Sequence, residues 1–316
     1  MAKDSPRRWR NSGMAQAILF RFEARGAWSA AAAGPSLVAS DTFYGAVCAA
    51  MDRLGWLEEW LAMGSAVRLS SLFPWQHGTL FAPPPASAWP PASGLQRLRP
   101  KLVRFLPLPA IRDLVSEGGL AESRWVLDPG SGCLLAADRA GAGGPFRPLH
   151  VEKAAGPKTG IQFAEGAGVW GLAVCEDEAW AGRLEAALRW LGDSGMGGNR
   201  ALGWGGSVGV RFERGESVEA LLRRGPSGDG SKGWWLLSLF APAAEEEVFW
   251  EQGAYRLAVR TGWVEGTTAA KRAQRVVTEG SVVYTALAPA GSLQDVAPEG
   301  WAHPVYRNGL AVAVAL

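Results

Sequence analysis

Three features of the sequence predict an α+β chain of two ferredoxin-like (RRM-like) units. Between residues 15 and 214 the hydrophobic pattern runs strand, helix, strand, strand, helix, strand, the signature of that fold. A polar stretch, "RRGPSGDGSKG" at 223–233, then interrupts the pattern and reads as a linker. A second, shorter series of strand-like segments follows to residue 316 and reads as a degenerate copy of the first. Antiparallel sheets with helices on one face are the expected architecture. The expected units are a polar leader at 1–13, a first domain at 14–222, the linker, and a second domain at 234–316.

The elements follow in order. "AQAILFRFEARG" at 15–26 alternates apolar and polar residues and is rich in β-formers, which predicts the opening strand. The spacing of Phe43, Val47, Ala50 and Leu54 predicts a helix over 40–62, with Ser40 as its N-cap and Asp41 at its positive end. The prolines of "RLSSLFPWQHGTLFAPPPASAWPP" at 68–91 exclude a helix and predict a strand followed by an extended loop. Short β-like pieces and many glycines over about 122–163 predict one long hairpin inserted in the first domain. "GVWGLAVC" at 168–175 reads as a buried strand, and "DEAWAGRLEAALRWLGDSG" at 177–195 as an amphipathic helix. "SVGVRFER" at 207–214 closes the first unit. In the second, strands are expected at 234–242, 254–264, 280–288 and 309–316, with a short helix at 244–253.

Composition excludes several classes. The chain has 316 residues, 48% hydrophobic and 20% charged, as in ordinary globular proteins. No apolar run reaches the roughly 20 residues a bilayer helix needs. The first residues are polar and basic without the apolar core of a secretory signal, and Met14 is an alternative start. Three scattered cysteines, Cys48, Cys133 and Cys175, give neither a disulfide framework nor a CxxC metal site, which predicts a cytoplasmic protein. Net charge is only +2, yet basic residues cluster in "RLRPKLVR" at 97–104 and "KRAQR" at 271–275. Arginine suits phosphate recognition; a GC-rich coding sequence accounts for its abundance equally well.

Residues 192–207, "GDSGMGGNRALGWGGS", hold seven glycines among sixteen residues. Glycine at that density implies positive φ angles or close backbone approach, and a phosphate is the usual object of such approach. The loop lacks the Lys-Ser/Thr pair of a Walker A motif. It follows a helix and precedes a strand, which is the wrong order for a dinucleotide fingerprint. Three histidines, His77, His150 and His303, form no metal-ligand spacing. No catalytic residue, metal or cofactor is therefore expected.

A glycine loop between helix and strand of a ferredoxin-like unit resembles the RAMP superfamily of CRISPR proteins. "ASDTFYGAVCAAM" at 39–51, "LSSLFPW" with the prolines after it, "KLVRFLPL" at 101–108, "GMGGNRALGWG", "GSVVY" at 280–284 and "HPVYRNGLAVAV" at 303–314 are similar, in this order, to segments of the fourth Csm-series subunit of type III-A complexes. The resemblance spans about residues 15–316. It implies a non-catalytic subunit that grips the 5′ repeat-derived tag of the guide RNA. Such a subunit bridges a polymerase-like large subunit to a backbone RAMP subunit, and presses a hairpin thumb into the guide–target duplex.

Carried onto this chain, the RNA-binding residues it implies are Gly195, Gly197, Gly198, Asn199, Arg200, Gly203, Trp204 and Gly205 of the loop. Ser40, Asp41 and Thr42 at the helix start, and Lys153, Lys158 and Thr159 after the thumb, complete the set. Arg200 pairs with a phosphate and Trp204 stacks on a base in this reading; the plainer alternatives are a surface ion pair and a core tryptophan. The thumb departs from the family's Arg-x-Thr pattern, since "HVEKAAGPKTGIQF" stands there. Two other classes stay open: a RAMP endoribonuclease using His77 or His303 as base, and a protein-only scaffold whose sixteen tryptophans serve interfaces.

Overall fold

A computed structural model describes residues 16–30, 33–152, 156–216, 218, 232–264 and 267–316. The leader, Lys153 and most of the linker lie outside the described residues.

The opening strand β1 (Gln16–Ala24) leads through the short β2 (Ala27–Trp28) to helix α1 (Ser40–Arg53). The helix expected over 40–62 is two helices. Gly55 takes φ +76°, outside the helical region, and α2 (Leu57–Met63) starts afresh after it. Strands β3 (Val67–Leu69), β4 (Phe73–Gln76) and β5 (Thr79–Ala82) follow, then β6 (Leu106–Pro107) and α3 (Leu108–Glu117). Helix α3 was not anticipated. Its proline in the first turn, its left-handed C-cap Gly118 and its buried Ala110, Ile111 and Leu114 are its signals.

The expected single long hairpin is two. Strands β7 (Trp125–Asp128) and β8 (Cys133–Ala136) pair with each other, and Cys133 bridges Phe105. With Cys133 and Leu134 fully buried, this hairpin is part of the core. Only β9 (Phe146–Val151) and β10 (Lys158–Phe163) form a projecting hairpin, rooted by buried Phe146, Ile161 and Phe163 and paired with β2.

The buried strand β11 (Ala167–Cys175), helix α4 (Glu178–Ser194) and β12 (Ser207–Glu213) complete the first unit. All pairings in its sheet are antiparallel, in the order β12-β1-β11-β4-β5-β6, with β3 also on β11. Phe20 packs on Phe43 and Phe22 on Trp28, so α1 and β2 both pack against aromatic side chains of β1.

The second unit contains β13 (Lys232–Leu236), β14 (Leu257–Arg260), β15 (Gln274–Val277), β16 (Val282–Thr285), β17 (Gly291–Asp295), β18 (Tyr306–Leu310) and β19 (Ala313–Ala315). They form a three-stranded sheet, β16-β13-β19, and the hairpins β14-β15 and β17-β18. Among its described residues there is no α-helix, so a helix-bearing second copy is not what this half builds. The expected helix at 244–253 is a single 3₁₀ turn, Trp250–Gln252. Glu246 explains why: its carboxylate accepts from the amides of Ala243 (3.1 Å), Ala290 (2.8 Å) and Gly291 (3.0 Å), which ties the segment to β17. The halves are fastened by backbone and side chain alike. The Ser71 amide donates to Leu237 O at 2.9 Å and the Ala86 amide to Gly280 O at 2.8 Å.

Candidate nucleic-acid interface

The glycine loop leaves α4 with Gly195 at φ +78° and returns to β12 through Gly205 at φ +85°. At Gly205 a Cβ would lie 2.1 Å from Met196 O, so the two arms of the loop touch backbone to backbone. Much of the glycine density thus serves the loop's own closure. Asn199, left-handed at φ +63°, starts a 3₁₀ turn over Arg200–Leu202. Its amide nitrogen donates to Ser29 Oγ at 2.9 Å, and Ser29 Oγ donates to Gly198 O at 2.7 Å. The backbone amides of Gly197, Gly198, Asn199, Arg200 and Ala201 have no acceptor among the described residues. Successive unpaired amides of this kind are able to hold an anion. Arg200 is exposed and has no ion-pair partner among the described residues.

Trp204 is a correction to the sequence reading. It is 8% exposed, and its ring closes on Gly160 of β10, where a Cβ would meet it at 2.8 Å. It supports the loop from beneath and offers no face to a base. Gly203, at φ +76°, serves the turn.

The loop forms one wall of a cleft of about 350 Å³. Gly195, Met196, Gly197 and Arg200 line that wall, and Asp41, Thr42 and Gly45 of α1 line another. The third comes from the second unit: Arg260, Trp263, Lys271 and Tyr306. Two sequence-distant predicted sites therefore meet, and the cation-rich segment 271–275 joins them at Lys271. No local pattern marks this third wall. The basic run and the "HPVYR" segment were its only traces in sequence, and Trp263, 66% exposed, carried no signal.

The start of α1 behaves differently from its expected role. Ser40 is fully buried and lies inside the helix, so it neither caps α1 nor reaches a ligand. Its hydroxyl accepts from the Leu239 amide at 3.0 Å, and its own amide donates to Ser71 Oγ at 2.8 Å, which joins the two halves. The Asp41 carboxylate accepts a two-pronged contact from Arg260, Nε at 2.9 Å and Nη2 at 2.8 Å. Arg307 Nε stands 3.6 Å from the same carboxylate, and its Nη1 and Nη2 donate to Arg260 O (2.8 Å) and Thr261 O (3.1 Å). Asp41 is thus an internal anchor for the third wall, not a ligand group. Thr42, exposed, accepts from Arg260 at 3.2 Å and stays in the cleft.

Lys158 and Thr159 sit on β10, opposite Val151 and His150, away from the cleft lining. His77 occupies the turn between β4 and β5 at φ +47°. His303 accepts from Trp301 Nε1 at 3.2 Å on its Nε2. Neither histidine lines the cleft. Among the described residues, no group of three or more His, Cys, Asp or Glu side chains is gathered as metal ligands. Among the described residues, no helix is long and apolar enough to cross a membrane.

The family model of the CRISPR Csm4 C-terminal domain matches residues 229–316. No curated protein sequence matches the chain. Among solved structures, a chain of the crystal structure of a Csm3-Csm4 subcomplex in the type III-A CRISPR-Cas interference complex superposes with a TM-score of 0.67 at 17% identity. That match covers 95% of this chain and 99% of the other. A chain of the Csm1-Csm4 cassette in complex with cA3 gives 0.59 at 19% identity, covering 95% and 98%. Csm4 is the component common to both assemblies. Residues 229–316 therefore belong to the Csm4 C-terminal domain family, on a chain that has, over 95% of its length, the fold of the chains in these Csm4 complexes.

Proposed function

We propose that this chain is the Csm4 subunit of a type III-A CRISPR effector complex, and that it acts there as a non-catalytic holder of the guide RNA's 5′ tag. Its protein partners are then a Csm1-type polymerase-like subunit and a Csm3-type backbone subunit, as in the assemblies it superposes on. The first unit is read as a ferredoxin-like RAMP domain, the β9-β10 hairpin as the thumb that meets the guide–target duplex, and the compartment as the cytoplasm.

The observation that carries this reading is the convergence, in one cleft, of outward loop amides, Arg200, Lys271 and the exposed ring of Trp263. Amides and forked cations hold phosphates, while an open aromatic face stacks an unpaired base. This combination suits single-stranded RNA. The cleaving alternative has no support in the site, since neither candidate histidine faces the cleft. The scaffold alternative has one: Trp250, Leu257 and Val259 are exposed on the second unit, as a protein-facing surface would be. A subunit that bridges two proteins accommodates both features.

Arg200→Ala tests the reading. One phosphate contact on single-stranded RNA is worth about 0.7 in the salt slope, hence about fivefold in affinity at roughly 0.1 M salt. Fluorescence anisotropy with tag RNA over a salt series should show both losses. The variant should still co-purify with its protein partners. Unchanged affinity and slope in a folded variant would remove the basis of the proposal.

A further inference from the structure

The other basic run, at 97–104, is left without a role by the cleft. Its residues frame a second cavity, of about 240 Å³, lined by Trp89, Pro100, Lys101, Arg104 and, from the second unit, Arg256. Between this cavity and the cleft lies a third, of about 330 Å³. It shares Ser29, Val38, Thr42 and Arg260 with the cleft and Gly34, Pro35 and Glu279 with the second cavity. The three are thus one groove along the seam between the two units, a common place for ligands.

Its charge is one-sided. Lys101 and Arg256 are exposed and have no ion-pair partner among the described residues. Arg104 is aimed by two bonds to Gly34 O, at 3.1 and 3.0 Å, and lies over the ring of Phe105. Two carboxylates line the groove, and neither opposes an anion. Asp41 is matched by Arg260 and Arg307, and Glu279, 3% exposed, takes hydrogen bonds from Ser36 and Ser71. Trp89, half-buried, lends an aromatic edge at the far end.

We propose that the seam is a track for the sugar–phosphate backbone of single-stranded RNA, leading from the glycine-loop cleft to a second phosphate seat at Lys101, Arg104 and Arg256. The track rests on the RNA-binding reading of the cleft, which forms one of its ends. Cations spaced along a groove with aromatic rings at both ends are the layout of a single-strand channel.

The test uses the full chain, single-stranded RNAs of four and twelve nucleotides, and two double variants, K101A/R256A and R200A/K271A. Lys101 and Arg256 are exposed, so the fold does not depend on them; K101E/R256E serves as a stronger second variant. Removing two contacts should weaken the twelve-mer about 25-fold at roughly 0.1 M salt and lower its slope by about 1.4. The four-mer should lose affinity only in R200A/K271A. An unchanged twelve-mer in K101A/R256A and K101E/R256E overturns the track. So does displacement of the twelve-mer by poly-glutamate as readily as by poly-U, which would assign the far end to an acidic protein. If K101A/R256A weakens the twelve-mer while R200A/K271A affects neither RNA, the far seat stands and the cleft reading falls.

Discussion

Replacing Asp41 with alanine separates two roles that its sequence position leaves open. The Asp41 side chain is 7% exposed and faces two guanidinium groups, of which Arg307 is 4% exposed. Without the carboxylate, Arg307 keeps only backbone carbonyls, and two like charges remain side by side away from water. Removing one member of a buried pair costs about 3–5 kcal/mol. Arg260 is 32% exposed and regains some hydration, so the lower end, about 3 kcal/mol, is expected here. At about 2–4 °C per kcal/mol, the melting temperature should fall by about 6–12 °C. Urea unfolding followed by tryptophan fluorescence gives the same quantity directly. The Asp41→Ala, Arg260→Ala cycle should show strong coupling between the two sites. A loss under about 1 kcal/mol, with RNA binding selectively impaired, would return Asp41 to the role of a ligand-contacting group and refute its role as an anchor.

Three further outcomes follow from the same geometry. Gly205→Ala places a Cβ against Met196 O at a positive φ, so it should destabilise the fold by about 1–3 kcal/mol, whereas Gly206→Ala, which meets nothing within 4 Å, should be near neutral; equal thermal shifts would contradict this. Burial pushes the Glu279 carboxyl above its ordinary 4.5, against the hydrogen bonds from Ser71 and Ser36. Its contribution to stability is complete below that ordinary value and is lost as pH rises toward the raised one. Glu279→Gln should therefore gain on the wild type in melting temperature between pH 4.5 and pH 8, and a constant or shrinking difference would count against the shift. In limited proteolysis of the free chain, cuts should fall in the exposed stretch 147–152 while 125–136 survives, because Cys133 and Leu134 are fully buried; rapid loss of 125–136 would show that its hairpin is not part of the core.

Where periodicity decides structure, the sequence reading and the structure agree. The alternation of 15–26, the continuous apolar run at 168–175 and the apolar stripe of 177–195 become β1, β11 and α4. Where a distant contact decides it, they part. Helix-favouring residues at 244–253 form only a 3₁₀ turn because Glu246 is captured by amides more than forty residues away. Propensity is a weak prior against such capture. The glycine loop was legible as a candidate site, yet the reason for each glycine was not. Gly205 serves chain closure, and the amides of 197–201 serve the surface. Trp204 was ambiguous for a related cause, since only the position of Gly160, 44 residues earlier in the chain, decides that its ring faces inward. The third wall of the cleft was beyond reach, because nothing local shows that residues 260–307 return to the start of α1.

The glycine loop has a bearing on how tightly a flexible strand can be held. Gly205 N donates to Ala27 O, Trp28 Nε1 to Gly206 O, and Ser29 binds Gly198 and Asn199, so three consecutive residues on one side of the cleft tether both arms of the loop. A segment of seven glycines would ordinarily have to lose much backbone freedom to embrace a ligand. Here that ordering has already happened during folding, and the amides stand in place before any strand arrives. On the proposed function, association would then carry the immobilisation cost of the nucleic acid alone. Loosening the tether, as in Ser29→Ala, should act on the rate at which RNA leaves while the charges that attract it stay as they were.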